Sequence, residues 1–202
     1  MSSGPSQGGI LFVLSGPSGV GKDTVIARLK ERGLPIHYCV TVTTRAMRQG
    51  EVHGVNYFFV SPEEFERMRS SGELLESALV HGYCYGTPRA QVRDVLASGR
   101  DVVLKVDVQG AATVKRKVPD AVFIFLAPES FAELKERLQA RGTESTADLS
   151  VRLKNARQEL ADLPQYDYVV VNYHDRLDET VDKVSAIITA EHCRVRPRHI
   201  VL

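Results

Sequence analysis

The chain passes from the apolar run Ile10-Leu11-Phe12-Val13-Leu14, through Ser15, into Gly16-Pro17-Ser18-Gly19-Val20-Gly21-Lys22. It leaves that loop along a segment with apolar residues at Val25, Ile26 and Leu29, a helical stripe ended by Gly33. A buried strand that breaks into a glycine-rich loop closing on Gly-Lys, then turns into a helix, confines the chain to an α/β sheet with an anion cradle at one strand end. Glycine allows consecutive backbone N–H groups to point at one anion, where any Cβ would block the approach. The helix adds the positive end of its dipole, and the lysine ammonium reaches the outer phosphates. The segment therefore predicts a nucleoside triphosphate site built from Gly16, Pro17, Ser18, Gly19, Val20, Gly21 and Lys22 and continuing through Asp23 and Thr24; the competing reading is an ordinary strand-to-helix turn.

One position departs from this pattern. A hydroxyl residue directly after the lysine normally faces Mg²⁺, whereas here Asp23 holds that place and Thr24 follows. A carboxylate beside a triphosphate is repulsive unless it reaches the ion or its water shell, so the role of Asp23 stays open. Mg²⁺ is expected to arrive with ATP and to be held largely by phosphates and water.

At 202 residues, 43% hydrophobic and 25% charged, the chain suits one soluble domain with a sizeable core. A net charge of +1 supplies no field that would call for nucleic acid or an anionic membrane. No run is long and apolar enough to be a membrane span. The start, Met1 to Gly9, has neither the basic nor the apolar part of a signal peptide and reads as a tail. Cys39, Cys84 and Cys193 are odd in number and far apart, which argues against a metal site or disulfides and for a reducing, cytoplasmic compartment. The six histidines are equally scattered, and no protein metal ligands are expected.

Further along, His37–Val42 and Val55–Val60 read as strands, Ser61-Pro62-Glu63-Glu64 as the capped start of a helix, and Leu74–Val80 as a strand before the turn-rich Gly82–Pro88. Arg89–Ser98 reads as a helix. Asp101–Asp107, Ala121–Leu126 and Asp167–Asn172 read as buried strands, with helices over Pro128–Arg141, Asp148–Leu163 and Asp175–His192. Alternation of this kind predicts a parallel sheet with right-handed crossovers and helices on both faces. The clustered short strands between about residues 38 and 88 break it and look inserted.

Thr43-Thr44-Arg45-Ala46-Met47-Arg48-Gln49-Gly50-Glu51, then Gly54-Val55-Asn56-Tyr57-Phe58-Phe59-Val60 and Arg141-Gly142-Thr143-Glu144 follow the phosphate loop in order. With this set the chain resembles guanylate kinases from about Ile10 to about Glu191. The resemblance implies an α/β P-loop nucleoside monophosphate kinase that transfers the terminal phosphoryl group of ATP to GMP, giving ADP and GDP. It implies a core over 10–37, 88–140 and 165–202 after a tail over 1–9, a mixed α/β GMP-binding insert over 38–87 and a short helical lid region over 141–164.

The residues fit that chemistry. Two phosphorylated nucleotides repel, and cations must offset the repulsion. Arg45 and Arg48, three apart after a strand, suit bidentate forks on a monophosphate, with Glu51 orienting them and the hydroxyls of Tyr57 and Tyr85 donating to the same anion. Selecting guanine needs a carboxylate for its N1–H and exocyclic amine. The resemblance places Glu76 there, with Thr41 and Thr87 as hydroxyls for O6. Asp107, at a core strand end, is a partner for Mg²⁺-bound water or the guanosine. Lys105 stands where the family carries an acid, a possible offset to Asp23. By the same resemblance Arg141 and Arg152 are lid arginines acting with Lys22 and Arg45 in catalysis, and Arg137 and Asn172 lie beside the adenine. No general base is needed, because positioning and electrostatics carry phosphoryl transfer. A binding module on the same fold and a kinase with another acceptor remain the alternatives; the partners expected are the two nucleotides, with the protein a monomer or homodimer.

Overall fold

The computed structural model describes residues 8–80, 82–140 and 146–202. The chain runs β1 (Leu11–Ser15), α1 (Lys22–Glu31), β2 (Ile36–Tyr38), β3 (Val42–Thr43), β4 (Phe58–Phe59), α2 (Pro62–Ser70), β5 (Leu74–Val80), β6 (Tyr83–Pro88) and α3 (Arg89–Ala97). It continues through β7 (Asp101–Lys105), α4 (Val108–Lys117), β8 (Val122–Pro128), α5 (Phe131–Ala140), α6 (Thr146–Ala161), a 3₁₀ turn (Leu163–Gln165), β9 (Tyr168–Asn172) and α7 (Leu177–His192).

Five strands form a parallel sheet in the order β2-β7-β1-β8-β9. Its central strand β1 is buried along its whole length, as a strand covered on both faces must be. Phe12 and Leu14 point to one face and pack with Val25 and Leu29 of α1 and Val181, Val184 and Ile188 of α7. Leu11 and Val13 point to the other face and pack with Val92 and Leu96 of α3 and Ala111 and Val114 of α4. The period-two alternation of one apolar strand thus serves two helical layers. A second sheet, β4-β3-β6-β5, carries a small core of its own around Val42, Phe65 and Leu74. Parallel β3 and β4 are joined in it to an antiparallel β5–β6 hairpin.

Several element assignments differ from the sequence reading. Gly82–Pro88 is a strand, β6, paired along β5 from Val80↔Tyr83 to Glu76↔Thr87. Its glycines suggested a turn, but Gly86 is there for packing: a Cβ would lie 2.8 Å from the Leu74 side chain. His37–Val42 is divided, with Ile36–Tyr38 in the parallel sheet and Val42–Thr43 in the other. Of Val55–Val60 only Phe58–Phe59 pairs as a strand. Helix α4 was not recognised because Gln109 and Gly110 weaken its apolar pattern; its signal was Asp107, which caps it by accepting from the Gly110 N–H at 2.8 Å.

The C-terminal segment is tied down. Arg198 donates from Nε to Oε2 of Glu191 at 2.7 Å, while the Tyr168 hydroxyl donates to Oε1 at 2.5 Å. Ile200 and Leu202 pack onto the α3–α4 side of the core. Burial opposes ionisation of Glu191, but the Arg198 and Tyr168 hydrogen bonds outweigh it and hold this carboxyl below its usual range. Its contribution is therefore present above the unfolded-state value and fades as pH falls through the folded one. Arg198→Ala removes the 2.7 Å partner of the Glu191 carboxylate, whose side chain is 0% exposed, and leaves it the longer pair with Arg194 at 3.5 Å. The expected destabilisation is about 2–4 kcal/mol, a drop in Tm on the order of 5–15 °C by calorimetry at neutral pH. A change below about 2 °C would show that the tail contributes nothing to the fold.

Candidate active site

The phosphate loop joins β1 to α1. Gly16 (φ 141°) lies against β8, and a Cβ there would meet the Leu126 carbonyl oxygen at 2.2 Å. Gly21 (φ 99°) is the residue before α1, and a Cβ would meet Nδ2 of Asn172 at 2.5 Å. Both conformation and space therefore demand glycine. Lys22 curls back over the loop and donates from Nζ to the carbonyls of Gly16 at 2.5 Å and Pro17 at 3.0 Å. Burial pushes the Lys22 ammonium down to about 8, against the charges of Glu159, Asp23 and Asp107, which pull it up.

Arg137 and Asn172 brace this loop from behind. The Asn172 amide donates to the Val20 carbonyl at 2.8 Å and Arg137 donates to the same oxygen at 3.2 Å. Thr180 donates to the Asn172 side-chain oxygen at 3.0 Å, and Arg137 reaches the Asn172 carbonyl at 3.1 Å. Neither residue lines the cleft described next, and Thr24 is exposed beyond it.

In front of the loop a cleft of about 680 Å³ lies between the two sheets, with Ser18–Asp23 on one wall and Thr41, Arg45, Arg48, Glu51, Tyr57, Glu76 and Tyr85 opposite. Arg45, 8% exposed, pairs with Glu51 at 2.7 Å, and the other carboxylate oxygen of Glu51 accepts from the Arg48 N–H at 2.8 Å. Glu51 thus fixes one arginine by its guanidinium and the other by its backbone. The Arg45 guanidinium stands 5.4 Å from the ring centroid of Tyr57 and 5.7 Å from that of Phe59, and the Tyr57 and Tyr85 rings meet edge to face at 6.1 Å. Two arginines and two phenols around one space make an oxyanion site.

Glu76 is 4% exposed, on β5. Burial pushes its carboxyl up to about 7, although the hydrogen bond from Thr87 pulls the other way. Thr87 donates to Oε1 at 2.6 Å and is itself buried away from the cleft. Its hydrogen holds the carboxylate and is not turned toward a ligand, which differs from the expectation of two cleft hydroxyls; Thr41 does line the cleft. Gly110 lets α4 pass close by, since a Cβ there would lie 2.8 Å from the second Glu76 oxygen.

Position 105 resolves with position 23. Lys105, at the end of β7, forms an ion pair with Asp23 and donates to the Tyr57 hydroxyl at 3.1 Å. Burial alone would lower the Lys105 ammonium, but Asp23 and Tyr57 hold it above its usual range. Asp107 and Glu159 also face the cleft, and burial pushes both carboxyls up while Lys22 pulls them down. Glu159 was missed from sequence. It sits on α6 in a charged, weakly periodic stretch, and nothing local distinguishes it from a solvated glutamate. Arg152, also on α6, lines the cleft. Arg141 lies outside the described residues. Among the described residues no group of three or more His, Cys, Asp or Glu could hold a metal ion.

The family model that matches is guanylate kinase, over residues 9–191. The chain belongs to the guanylate kinase family. It is 50% identical over 186 residues to a guanylate kinase of Halalkalibacterium halodurans, covering 92% of this chain and 90% of that one. It is 49% identical over 191 residues to a guanylate kinase of Streptococcus thermophilus, covering 94% and 90%. Among solved structures, guanylate kinase from Anaplasma phagocytophilum superposes with a TM-score of 0.78 at 38% identity, covering 94% of this chain and 89% of that one.

Proposed function

We propose that this cleft transfers the terminal phosphoryl group of ATP to GMP, giving ADP and GDP, as part of guanine nucleotide metabolism. One observation carries the reading: a phosphate loop with Lys22 and a buried carboxylate, Glu76, face each other across one cleft that also holds Arg45 and Arg48. The loop N–H groups and Lys22 take the triphosphate, with Arg137 and Asn172 at the adenine end of the loop. Arg45, Arg48, Tyr57 and Tyr85 take the acceptor phosphate, Glu51 keeps the arginines in register, and Glu76 reads the guanine edge with Thr41 beside it. Arg152 and Arg141, from the α5–α6 side, neutralise charge as the phosphoryl group moves.

The residues suit an ion that enters with the nucleotide. Asp107 and Glu159 face Lys22 without forming a ligand cluster, so they can accept hydrogen bonds from the waters of a phosphate-held Mg²⁺. Bound with the nucleotide, such an ion would supply charge neutralisation to the triphosphate. The chain's own contribution is alignment and exclusion of water, since a reactive phosphoryl group must meet GMP and not solvent.

A coupled assay of each nucleoside monophosphate with ATP tests this directly. GMP is expected to be used far better than AMP, CMP or UMP, and equal use of all four would overturn the reading. Asp23 belongs to a partly exposed ion pair, its side chain 75% exposed. Asp23→Ser is therefore expected to keep kcat at saturating Mg²⁺ within about fivefold of the parent. Abolished activity would instead make Asp23 the anchor of the ion. No helix among the described residues is long and apolar enough to cross a membrane.

A further inference from the structure

The Lys105 side chain reaches both halves of the cleft. Its ammonium pairs with Asp23, the residue directly after the loop lysine, and donates to Tyr57 beside the Arg45 guanidinium. It also lies 5.1 Å from the Tyr57 ring centroid, on the hydroxyl side of the ring, so its hold on the phenol is through the oxygen. The pairing joins β7 of the parallel sheet and helix α1 to the loop before β4 of the other sheet.

Each contact has a chemical consequence. A phenol that accepts from an ammonium has its own hydrogen left to donate, and the ammonium polarises that O–H. Tyr57 faces the cleft with Arg45 and Arg48, so the polarised hydrogen is available to an oxyanion there. On the other side, Lys105 offsets the charge of the Asp23 carboxylate, which lies directly after the loop lysine and would repel a triphosphate bound there. Leu14, near the end of the strand that leads into the phosphate loop, is in register with Lys105 of β7, and both Lys22 and Lys105 line the cleft. One flexible cation thus serves both nucleotide sites without filling either.

We propose that Lys105 is a positioning residue coupling the donor and acceptor sites: through Tyr57 it strengthens the grip on the acceptor phosphate, and through Asp23 it removes repulsion from the donor triphosphate. This rests on the reading of the cleft as an ATP:GMP phosphotransferase site, which fails separately if the unmodified protein does not phosphorylate GMP.

Two mutant cycles on the full chain test it by steady-state kinetics. Lys105→Met is expected to raise KM for GMP about tenfold, the loss of one charge-assisted hydrogen bond, and KM for ATP by about threefold or more. In a Tyr57→Phe background the same substitution should add no further rise in KM for GMP. In an Asp23→Ser background it should add none in KM for ATP. Lys105→Arg, which keeps the charge and both donors, should restore each constant to within about threefold of the parent. Melting curves accompany every variant, and if Lys105→Met does not fold, Lys105→Gln takes its place in both cycles with the same expectation of non-additivity. Full additivity in both cycles, or a Lys105→Met (or Lys105→Gln) protein with both KM values unchanged, overturns the proposal.

Discussion

Lys22→Ala is expected to lower kcat by about 10²- to 10³-fold or more while the protein melts close to the parent temperature. Among the described residues the lysine packs into no hydrophobic cluster, and its ammonium donates to the Gly16 and Pro17 carbonyls of the loop. Those two bonds keep the cation in place in the free protein, and an incoming triphosphate competes for its hydrogens. Burial lowers the ammonium to about 8, so it gains from an anionic partner, and phosphate charge adds to Glu159, Asp23 and Asp107 in keeping it protonated. What the variant loses is charge stabilisation as the phosphoryl group departs, not packing. Stopped assays and thermal melting of both proteins separate the two. Near-normal turnover would remove the phosphate-cradle assignment altogether.

Glu76→Gln should damage GMP use selectively. The amide accepts one hydrogen bond as the carboxylate does, but it turns an N–H toward guanine donors and loses charge assistance. In a buried pocket this mismatch should cost roughly 2–4 kcal/mol, about 30- to 1000-fold in kcat/KM for GMP. AMP, whose N1 accepts, should lose less or gain, and ATP binding should barely move. The pH profile supplies a second readout. Burial raises the Glu76 carboxyl to about 7, so the free protein is stabilised by the protonated form and loses that stabilisation as pH rises through 7. Guanine binding wants the ionised form. In the parent, kcat/KM for GMP should therefore climb between about pH 6 and 8, and in Glu76→Gln this step should vanish. Equal losses for GMP and AMP with an unchanged pH profile would make Glu76 a structural residue.

The two residues differ in how far they could be read in advance. The loop that carries Lys22 is legible because its conformation is local: strand, glycines, lysine and helix are consecutive, and the backbone conformation they impose needs no other part of the chain. The same holds for Ser61, whose hydroxyl accepts from the Glu64 N–H at 3.2 Å to start α2, and for the continuous apolar strands that demand a parallel sheet with helices on both faces. The spacing of Arg45, Arg48 and Glu51 likewise lies within one short loop, and the arginines' pairing with Glu51 follows from it.

Glu76, Lys105 and Glu159 are different. Glu76 in isolation is indistinguishable from a surface glutamate. It becomes a buried acceptor only because the β5–β6 hairpin brings Thr87 onto it and Gly110 lets α4 close over it. Gly82–Pro88 could not be read as a strand locally, since pairing with β5 supplies the hydrogen bonds that its own composition does not promise. Asp23 and Lys105 each break the expected pattern, and sequence could suggest only that they offset one another. They are 82 residues apart, and the parallel pairing of β1 with β7 sets them side by side. Sequence alone determined the conformation of the glycine-rich loop, the pairing of Glu51 with Arg45 and Arg48 and the class of fold, because short-range backbone geometry and period-two burial specify them. Tertiary structure decided the environment of each buried or bridging charge, because desolvation and ion pairing depend on atoms from distant strands.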